Sequence, residues 1–543
     1  MTDVLSFADA AGMGAQLLGG KGAGLAAMRA QGLRVPPGFV ITTAACNEYR
    51  RTGAQPRTLA TDVAAALAAL EAERGLALGD PDAPLLLAVR SGAPVSMPGM
   101  MDTVLNLGVT DDTVDALARR FGADFAWDCY ARFLEGFAKV VLGIDTRRFA
   151  DLPTARGRSR VDALKAIIAE HSLLPADPRE QLTMAIEAVP RSWDNPRAVA
   201  YRRIEGIDDD LGTAVVVQAM VFGNLNARSG TGVVFTRNPN TGEPIPYGDF
   251  LFQAQGEDVV SGEHQTLPVR ALAERLPEVW DELTGRLAAL EAWRKDMLDV
   301  EFTVEDGTLF FLQVRTAKRS ALGAVRTALS LARDGTIDRC EALMRVTPSQ
   351  LESLTQARRH GGADVDRLTT GLAACPGSGT GVICLTPEAV FDAVERGEQA
   401  ILVRAETSPD DVAAMAMSEG ILTARGGLVS HAAVVARGLS VPAVVGADSL
   451  RIDIASGQAD FGGTVVSEGD VITIDGDTGV VLRGPTGTET TDSSAEFDEL
   501  LAWAEQIAPS PGDGHPSAPE RLAAARAAIE RFGLATAAKA GAK

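Results

Sequence analysis

Over roughly its first 325 residues this chain alternates short β-branched runs with helical stretches, and that alternation is what most narrows its fold. Runs of strand length and composition stand at residues 85–89, 214–220, 233–236 and 300–304, with helical sequence between them, which predicts α/β architecture. Residues 112–204 break the pattern: they are poor in strand signals and rich in Ala, Leu, Arg and Glu, and are predicted as a helical insertion. A helical linker follows over residues 326–370, where Arg358, His360, Gly361 and Gly362 mark a change to loop. At 543 residues the chain exceeds one ordinary core, so several domains are expected.

A second unit is predicted over residues 371–485, between the borders CPGSGTG and GPTGTETTDSS, whose Gly, Pro, Ser and Thr favour flexible connection. Within it residues 400–403 read as a strand, Ser408-Pro409-Asp410-Asp411 opens a helix with a cap and Pro at the first position, and residues 420–423 form the next strand. Residues 471–482, centred on Asp475-Gly476, read as a hairpin. Residues 486–543 are a helical tail.

The 51 basic and 72 acidic residues leave a formal charge of −21, which repels a phosphate backbone and speaks against nucleic acid as a partner. No apolar run reaches the length of a membrane span, and Asp3 and Asp9 stand where a secretory signal carries basic residues, so no membrane association and a cytoplasmic location are expected. The five cysteines form no C-x-x-C pair, which suggests neither a disulfide framework nor a structural zinc site.

In TARGGLVSHAAVVARGL, Ser430 is a helix N-cap, so His431 falls in the first helical turn, where free N–H groups and the positive end of the helix dipole favour an anion. Arg425 and Arg437 add cations nearby, and Gly426 and Gly427 permit close backbone approach. A lone histidine is more often a core or capping residue; here it lies among glycines and arginines with no partner at metal-ligand spacing, and nucleophilic catalysis by imidazole is the chemistry left.

Gly19-Gly20-Lys21-Gly22 fails the phosphate-loop spacing, because Ala15 stands at its first glycine and Gly22 at its Ser or Thr. A more informative stretch runs from Asp299 to Arg315. Alternation puts Asp299 and Glu301 on one strand face and Val300, Phe302 and Val304 on the other. In a hairpin symmetric about Gly307, Glu301 lies opposite Gln313 and Asp299 opposite Arg315, a set suited to Mg²⁺ bridging triphosphate oxygens. The same spacing fits a half-exposed structural hairpin equally well.

GGLVSHAAVVARG resembles the phosphohistidine signature of the phosphoenolpyruvate-utilising enzymes, and the surrounding sequence resembles the pyruvate, phosphate dikinases over about residues 10–485. LLGGKGAGLAAM, VPPGFVITT, VRSGAPVSMPGMMDTVLNLG, GTGVVFTRNPNTGE, AQGEDVVSG and DMLDVEFTVEDGTLFFLQVRTAKR carry the likeness in the family's order. It implies an ATP-grasp nucleotide-binding domain over residues 1–325, then a swivelling β/α phosphohistidine domain. It assigns Asp299 and Glu301 to Mg²⁺, and Lys21, Arg90, Gln313 and Arg315 to ATP phosphates, with residues 91–103 as a loop closing over them. From the residues alone, Lys21 and Arg90 could equally be solvated surface charges. Arg237, Glu257 and Asp258 are further positions similar to the family's nucleotide site. The implied reaction takes ATP and orthophosphate to AMP, pyrophosphate and phosphohistidine at His431, with charge stabilisation from Arg90 among others. The family passes the phosphoryl group to pyruvate in a (β/α)₈ barrel, and the stretch after Leu482 is too short for one, so a separate barrel protein is an expected partner. The alternative is a phosphocarrier or kinase serving another acceptor. Val429 stands where plant members of the family carry a regulatory threonine.

Overall fold

The β-branched runs pair into sheets in the computed structural model, which describes residues 3–532 apart from 96, 98–100, 146, 151, 153–156, 261–263, 265, 356–357, 361–365, 486, 490–494 and 510–515. The architecture is mixed α/β and multidomain, in two units. One comprises residues 1–231, 252–256 and 301–315; the other comprises 232–251, 257–300 and 316–543. Residues 1–325 are thus divided between the two units, where the sequence reading took them as one domain.

In the first unit an antiparallel sheet runs in the order Val4–Ser6, Gly38–Ile41, Ala214–Ala219, Leu87–Gly92, Thr103–Leu107. Its middle strand, Ala214–Ala219, is buried along its whole length, as its unbroken apolar run requires. Between Val114 and Glu205 the described residues are helical, and Phe125, Phe133, Phe137, Leu164 and Leu182 share a core with Leu87, Val89 and Val104. Helix Ala15–Ala30 is kinked at Gly19, which takes φ 66° and ψ 162°. A Cβ there would lie 1.5 Å from the Gly92 carbonyl oxygen, so only glycine lets this helix meet the strand that carries Arg90.

A second sheet has the order Thr308–Thr316, Leu298–Glu305, Gly230–Phe235, Tyr247–Phe252, Leu267–Pro268. The turn between its first two strands is Asp306-Gly307, with φ 46° and 75°, the paired positive values of a two-residue hairpin turn. A two-residue turn brings Glu305 level with Thr308, one residue off a hairpin symmetric about Gly307. At the open end the Ala317 N–H donates to the Met297 carbonyl (3.0 Å).

In the second unit an eight-stranded sheet is built around four parallel strands, Ser378–Cys384, Ala400–Arg404, Gly420–Thr423 and Ala443–Val445. Helices Pro387–Glu395, Val412–Met417 and His431–Leu439 connect them in turn, the ordinary solution for parallel neighbours. Strands Val471–Asp475 and Val480–Arg483 form the expected hairpin, but its centre falls at Asp477-Thr478, because Asp475 pairs with Val480. The Asp475 carboxylate accepts from the N–H groups of Asp477 and Thr478 (2.9 and 3.2 Å), which moves the turn two residues along. Arg358–His360 pairs with Gly487–Glu489, so the chain entering and the chain leaving this sheet are tied in a ribbon, where flexible borders were expected. Gly361 and Gly362 of the expected linker lie outside the described residues.

Helices Ala321–Arg333, Arg339–Met344 and Pro348–Thr355 share a core with helices Ala495–Ile507 and Ala518–Phe532. The tail is therefore a packed part of the linker, with Leu500, Leu522 and Ala525 fully buried. Leu500→Ala should lower stability in urea unfolding by roughly 2 to 5 kcal/mol, the usual cost of truncating a buried leucine; a loss under about 0.5 kcal/mol would show that the tail packs only peripherally.

Candidate active site

Strands Ala400–Arg404 and Gly420–Thr423 are parallel neighbours, so the loops at their carboxyl ends leave the sheet side by side, the edge at which open α/β sheets bind ligands. The second loop leads to helix His431–Leu439. Ser430 is its N-cap in extended conformation, with the side chain accepting from the Ala433 N–H, and His431 is the first helical residue. From the first loop, Thr407 Oγ1 lies 2.9 Å from His431 Nδ1. Nε2 is buried and has no hydrogen-bond partner among the described residues. Burial holds the imidazole down to about 4, against a smaller pull upward from the Asp411 carboxylate, so it is neutral near pH 7. A neutral ring that donates from Nδ1 to Thr407 keeps its lone pair on Nε2.

The loop before the helix is held by its backbone. The Val429 N–H donates to Asp249 Oδ2 (3.1 Å), and Arg437 donates to the Leu428 carbonyl (2.5 Å). A Cβ on Gly427 would lie 2.2 Å from Asp249 Oδ2 and 2.6 Å from Thr266 Oγ1, so the loop seats only with glycine there. Gly426 has φ 107°, which also favours glycine. Val429 is 1% exposed in an apolar cluster with Val233, Phe235, Val259, Met297 and Ala317. Burial raises Asp249 to about 6 against the backbone N–H groups and Arg437, which favour its charged form. Arg425 is exposed. Arg437, expected as a cation beside the histidine, is buried and also donates to Asn240 Oδ1 (3.2 Å) and the Ala374 carbonyl (2.9 Å): at the last turn of the helix it holds the seat instead.

In the first unit the structure brings together Lys21, Arg90, Glu301 and Arg315. Arg90 donates to Glu301 Oε2 (3.0 Å) and to the Leu312 carbonyl (3.2 Å). Burial lowers Lys21 to about 7, reinforced by the charges of Arg90 and Arg315 and opposed by Glu301. Burial pushes the Glu301 carboxyl up, but Arg90, Arg315 and Lys21 outweigh it and hold it below the usual carboxylate range. Gln313, on the same strand as Arg315, is buried. This is a pocket of surplus positive charge, suited to phosphate. The loop at residues 91–103 includes 96 and 98–100, outside the described residues.

Other expected positions fall elsewhere. Asp299 is 3% exposed, and within the second unit its charge acts on Arg437. Arg237 is also in that unit, buried, and donates to Glu291 (2.9 Å) and Ser330 (3.0 Å), which makes it a structural ion pair where a nucleotide contact was expected. Glu257 and Asp258 begin the short helix Gly256–Val260, Glu257 exposed and Asp258 buried with His264 3.9 Å away. No group of three or more metal-ligating side chains occurs among the described residues. Asp299 and Glu301 are hard oxygen donors two residues apart on strand Leu298–Glu305, the donor type that Mg²⁺ takes. The sequence reading missed Thr407 and Asp249. Parallel adjacency of the strands carried a signal for Thr407; nothing local marked Asp249.

Comparison with known proteins gives two family matches: a pyruvate phosphate dikinase AMP/ATP-binding domain over residues 15–73 and 51–267, and the mobile domain of PEP-utilising enzymes over residues 396–479. The chain resembles pyruvate, phosphate dikinases. That of Rhizobium meliloti (strain 1021) is 44% identical over 520 residues, 90% of this chain and 58% of the relative. The chloroplastic enzyme of Mesembryanthemum crystallinum is 43% identical over 531 residues, 94% and 56% respectively. That of Clostridium symbiosum is 40% identical over 514 residues, 90% and 59%. The chain thus spans less than three fifths of each of these relatives. Among the described residues no helix is long and apolar enough to cross a membrane.

Lys21 near 7 gives a test of the phosphate pocket. A bound polyphosphate should raise it, so at pH 8 Lys21 should take up a proton as ATP binds, and at pH 5.5, where it is already protonated, it should contribute none. Calorimetry in buffers of different ionisation enthalpy reads this directly, and the pH 8 uptake should vanish in Lys21→Met.

Proposed function

We propose that Nε2 of His431 accepts a phosphoryl group in an ATP- and orthophosphate-dependent reaction of the pyruvate, phosphate dikinase kind. The observation that carries this reading is the neutral imidazole at a capped helix start, its Nδ1 beside Thr407 and its Nε2 without a protein partner among the described residues. The Nε2 lone pair attacks the β-phosphorus of ATP, the bond from that phosphorus to the oxygen bridging it to the α-phosphorus breaks, and AMP leaves. Orthophosphate then takes the γ-phosphoryl group as pyrophosphate, leaving the β-phosphoryl on His431. The free N–H groups of the first helical turn favour the charge that accumulates there.

Lys21, Arg90 and Arg315 bind and orient the triphosphate and draw charge from it in the transition state, the main task in phosphoryl transfer. Asp299 and Glu301 would hold Mg²⁺, which when bound neutralises phosphate oxygens. Gln313 adds to the polar surroundings of the triphosphate, while Glu257 and Asp258 in the second unit are given no nucleotide contact and Arg237 serves the fold. We read residues 1–325 as an ATP-grasp domain and 371–485 as a swivelling phosphohistidine domain. Onward transfer to pyruvate is assigned to a barrel of the kind the resemblance implies.

Wild-type protein given [β-³²P]ATP, Mg²⁺ and phosphate should carry label that is lost in acid and survives base, with AMP and pyrophosphate formed in step; His431→Ala should fold and stay unlabelled. Stable label in that variant would defeat the proposal. Glu301→Gln and Asp299→Asn should each cut the labelling rate by about two orders of magnitude or more at saturating Mg²⁺, since each removes a proposed metal ligand. Near-normal rates in both would return the hairpin to a purely structural role.

A further inference from the structure

Thr407 faces Nδ1 of His431 from a loop, and a loop residue can set a tautomer only if something fixes the loop. Two sets of contacts do so. The first continues the parallel sheet beyond its strands: the Ala424 N–H donates to the Arg404 carbonyl (3.0 Å) and the Arg425 N–H to the Ala405 carbonyl (2.9 Å), which ties the Thr407 loop to the loop leading to His431. The second centres on Asp411, which is 2% exposed. Its Oδ2 accepts from the Ser408 N–H (2.6 Å) and from Ser408 Oγ (3.1 Å), and its Oδ1 lies 3.4 Å from Arg404 Nε. Arg404 is itself anchored by donating Nη1–H to the Leu385 carbonyl (3.0 Å). One carboxylate therefore joins the end of strand Ala400–Arg404 to the residue immediately after Thr407.

Such a capping arrangement at a helix start ordinarily serves stability alone. Here the helix it opens is short, Val412–Met417, while the carboxylate is buried and close enough for its charge to be felt by the His431 imidazole. Resting on the reading of His431 as the phosphoryl acceptor, we infer that Asp411 is a positioning residue: by fixing the Ser408 turn it holds Thr407 as the acceptor of the Nδ1 proton and so keeps the lone pair on Nε2. It acts through hydrogen bonds to Ser408, so a neutral acceptor of the same shape should do most of its work.

The test is histidine-selective ¹⁵N NMR of the full chain, with His431→Ala to assign the ring, alongside the labelling rate. Wild type should show a pyridine-type Nε2 and a pyrrole-type Nδ1. Asp411→Ala should show mixed tautomers and label on the order of 10²-fold more slowly, the scale of a small misplacement of a reacting group. Asp411→Asn, which can still accept from Ser408, should keep the wild-type tautomer and recover most of the rate. A single unchanged tautomer in Asp411→Ala, or equal damage from Asn and Ala, would overturn the inference, the latter because it would make the charge and not the hydrogen bonds responsible. If Asp411→Ala fails to fold, Ser408→Ala removes one of the two bonds and should show the same mixture in milder form; an unchanged ring signal there counts against the inference. The tautomer is read without ATP, so a wild type that takes no label but responds as described would sink the proposed reaction and leave the positioning role standing.

Discussion

The burial of one imidazole organises the second unit. A histidine in water is partly protonated near neutrality and shares its single neutral proton between two nitrogens; neither condition suits a nucleophile. Burial of His431 disfavours the cation, and the Thr407 hydroxyl 2.9 Å from Nδ1 can accept the remaining proton there. A dianionic group on this buried nitrogen, as proposed, would be costly without compensation, and the helix start would provide it: Ser430 caps the helix through the Ala433 N–H, leaving the N–H groups of the first turn at the entry to the site. Nucleophilicity and product charge are thus handled by different parts of the same turn.

The phosphate pocket of the first unit solves the opposite problem. Lys21, Arg90 and Arg315 repel one another, and their crowding, with burial, lowers Lys21 toward neutrality while Glu301 pulls it back. One carboxylate among three cations keeps the cluster together without cancelling it, and the surplus is what a triphosphate would relieve. Gly19 makes the cluster possible, because its backbone could not pass Gly92 with a side chain attached.

The loop carrying His431 is recognised mainly by backbone groups. Asp249 and Arg437 take up the N–H of Val429 and the carbonyl of Leu428, so the side-chain requirements are few: none at Gly427, and an apolar one at Val429. Val429 packs in the apolar cluster with Val233, Phe235 and Met297, so the valine belongs to the seat itself.

Local chemistry was legible in the chain. The Ser430 cap, the position of His431 in the first turn, the Ser408-Pro409 helix start and the Asp306-Gly307 turn all follow from residue types at short spacing, since capping and turn geometry involve neighbours only a few residues apart. Asp299 and Glu301 share a strand face, yet Asp299 is buried and Glu301 only partly so, because alternation says which residues share a face and not how far that face meets water. Arg237, expected at the nucleotide site, and Arg437, expected as a cation beside the histidine, are both buried and hydrogen-bonded, since a guanidinium's partners lie far away in sequence. Thr407 lies 24 positions from His431, and Asp249 lies 180 from Val429. The sequence by itself determined where His431 sits on its helix and which residue types gather at each site. Tertiary structure alone decided which hydroxyl faces Nδ1, the seat and the neutral state of the ring, because each depends on burial and on groups brought together from distant parts of the chain.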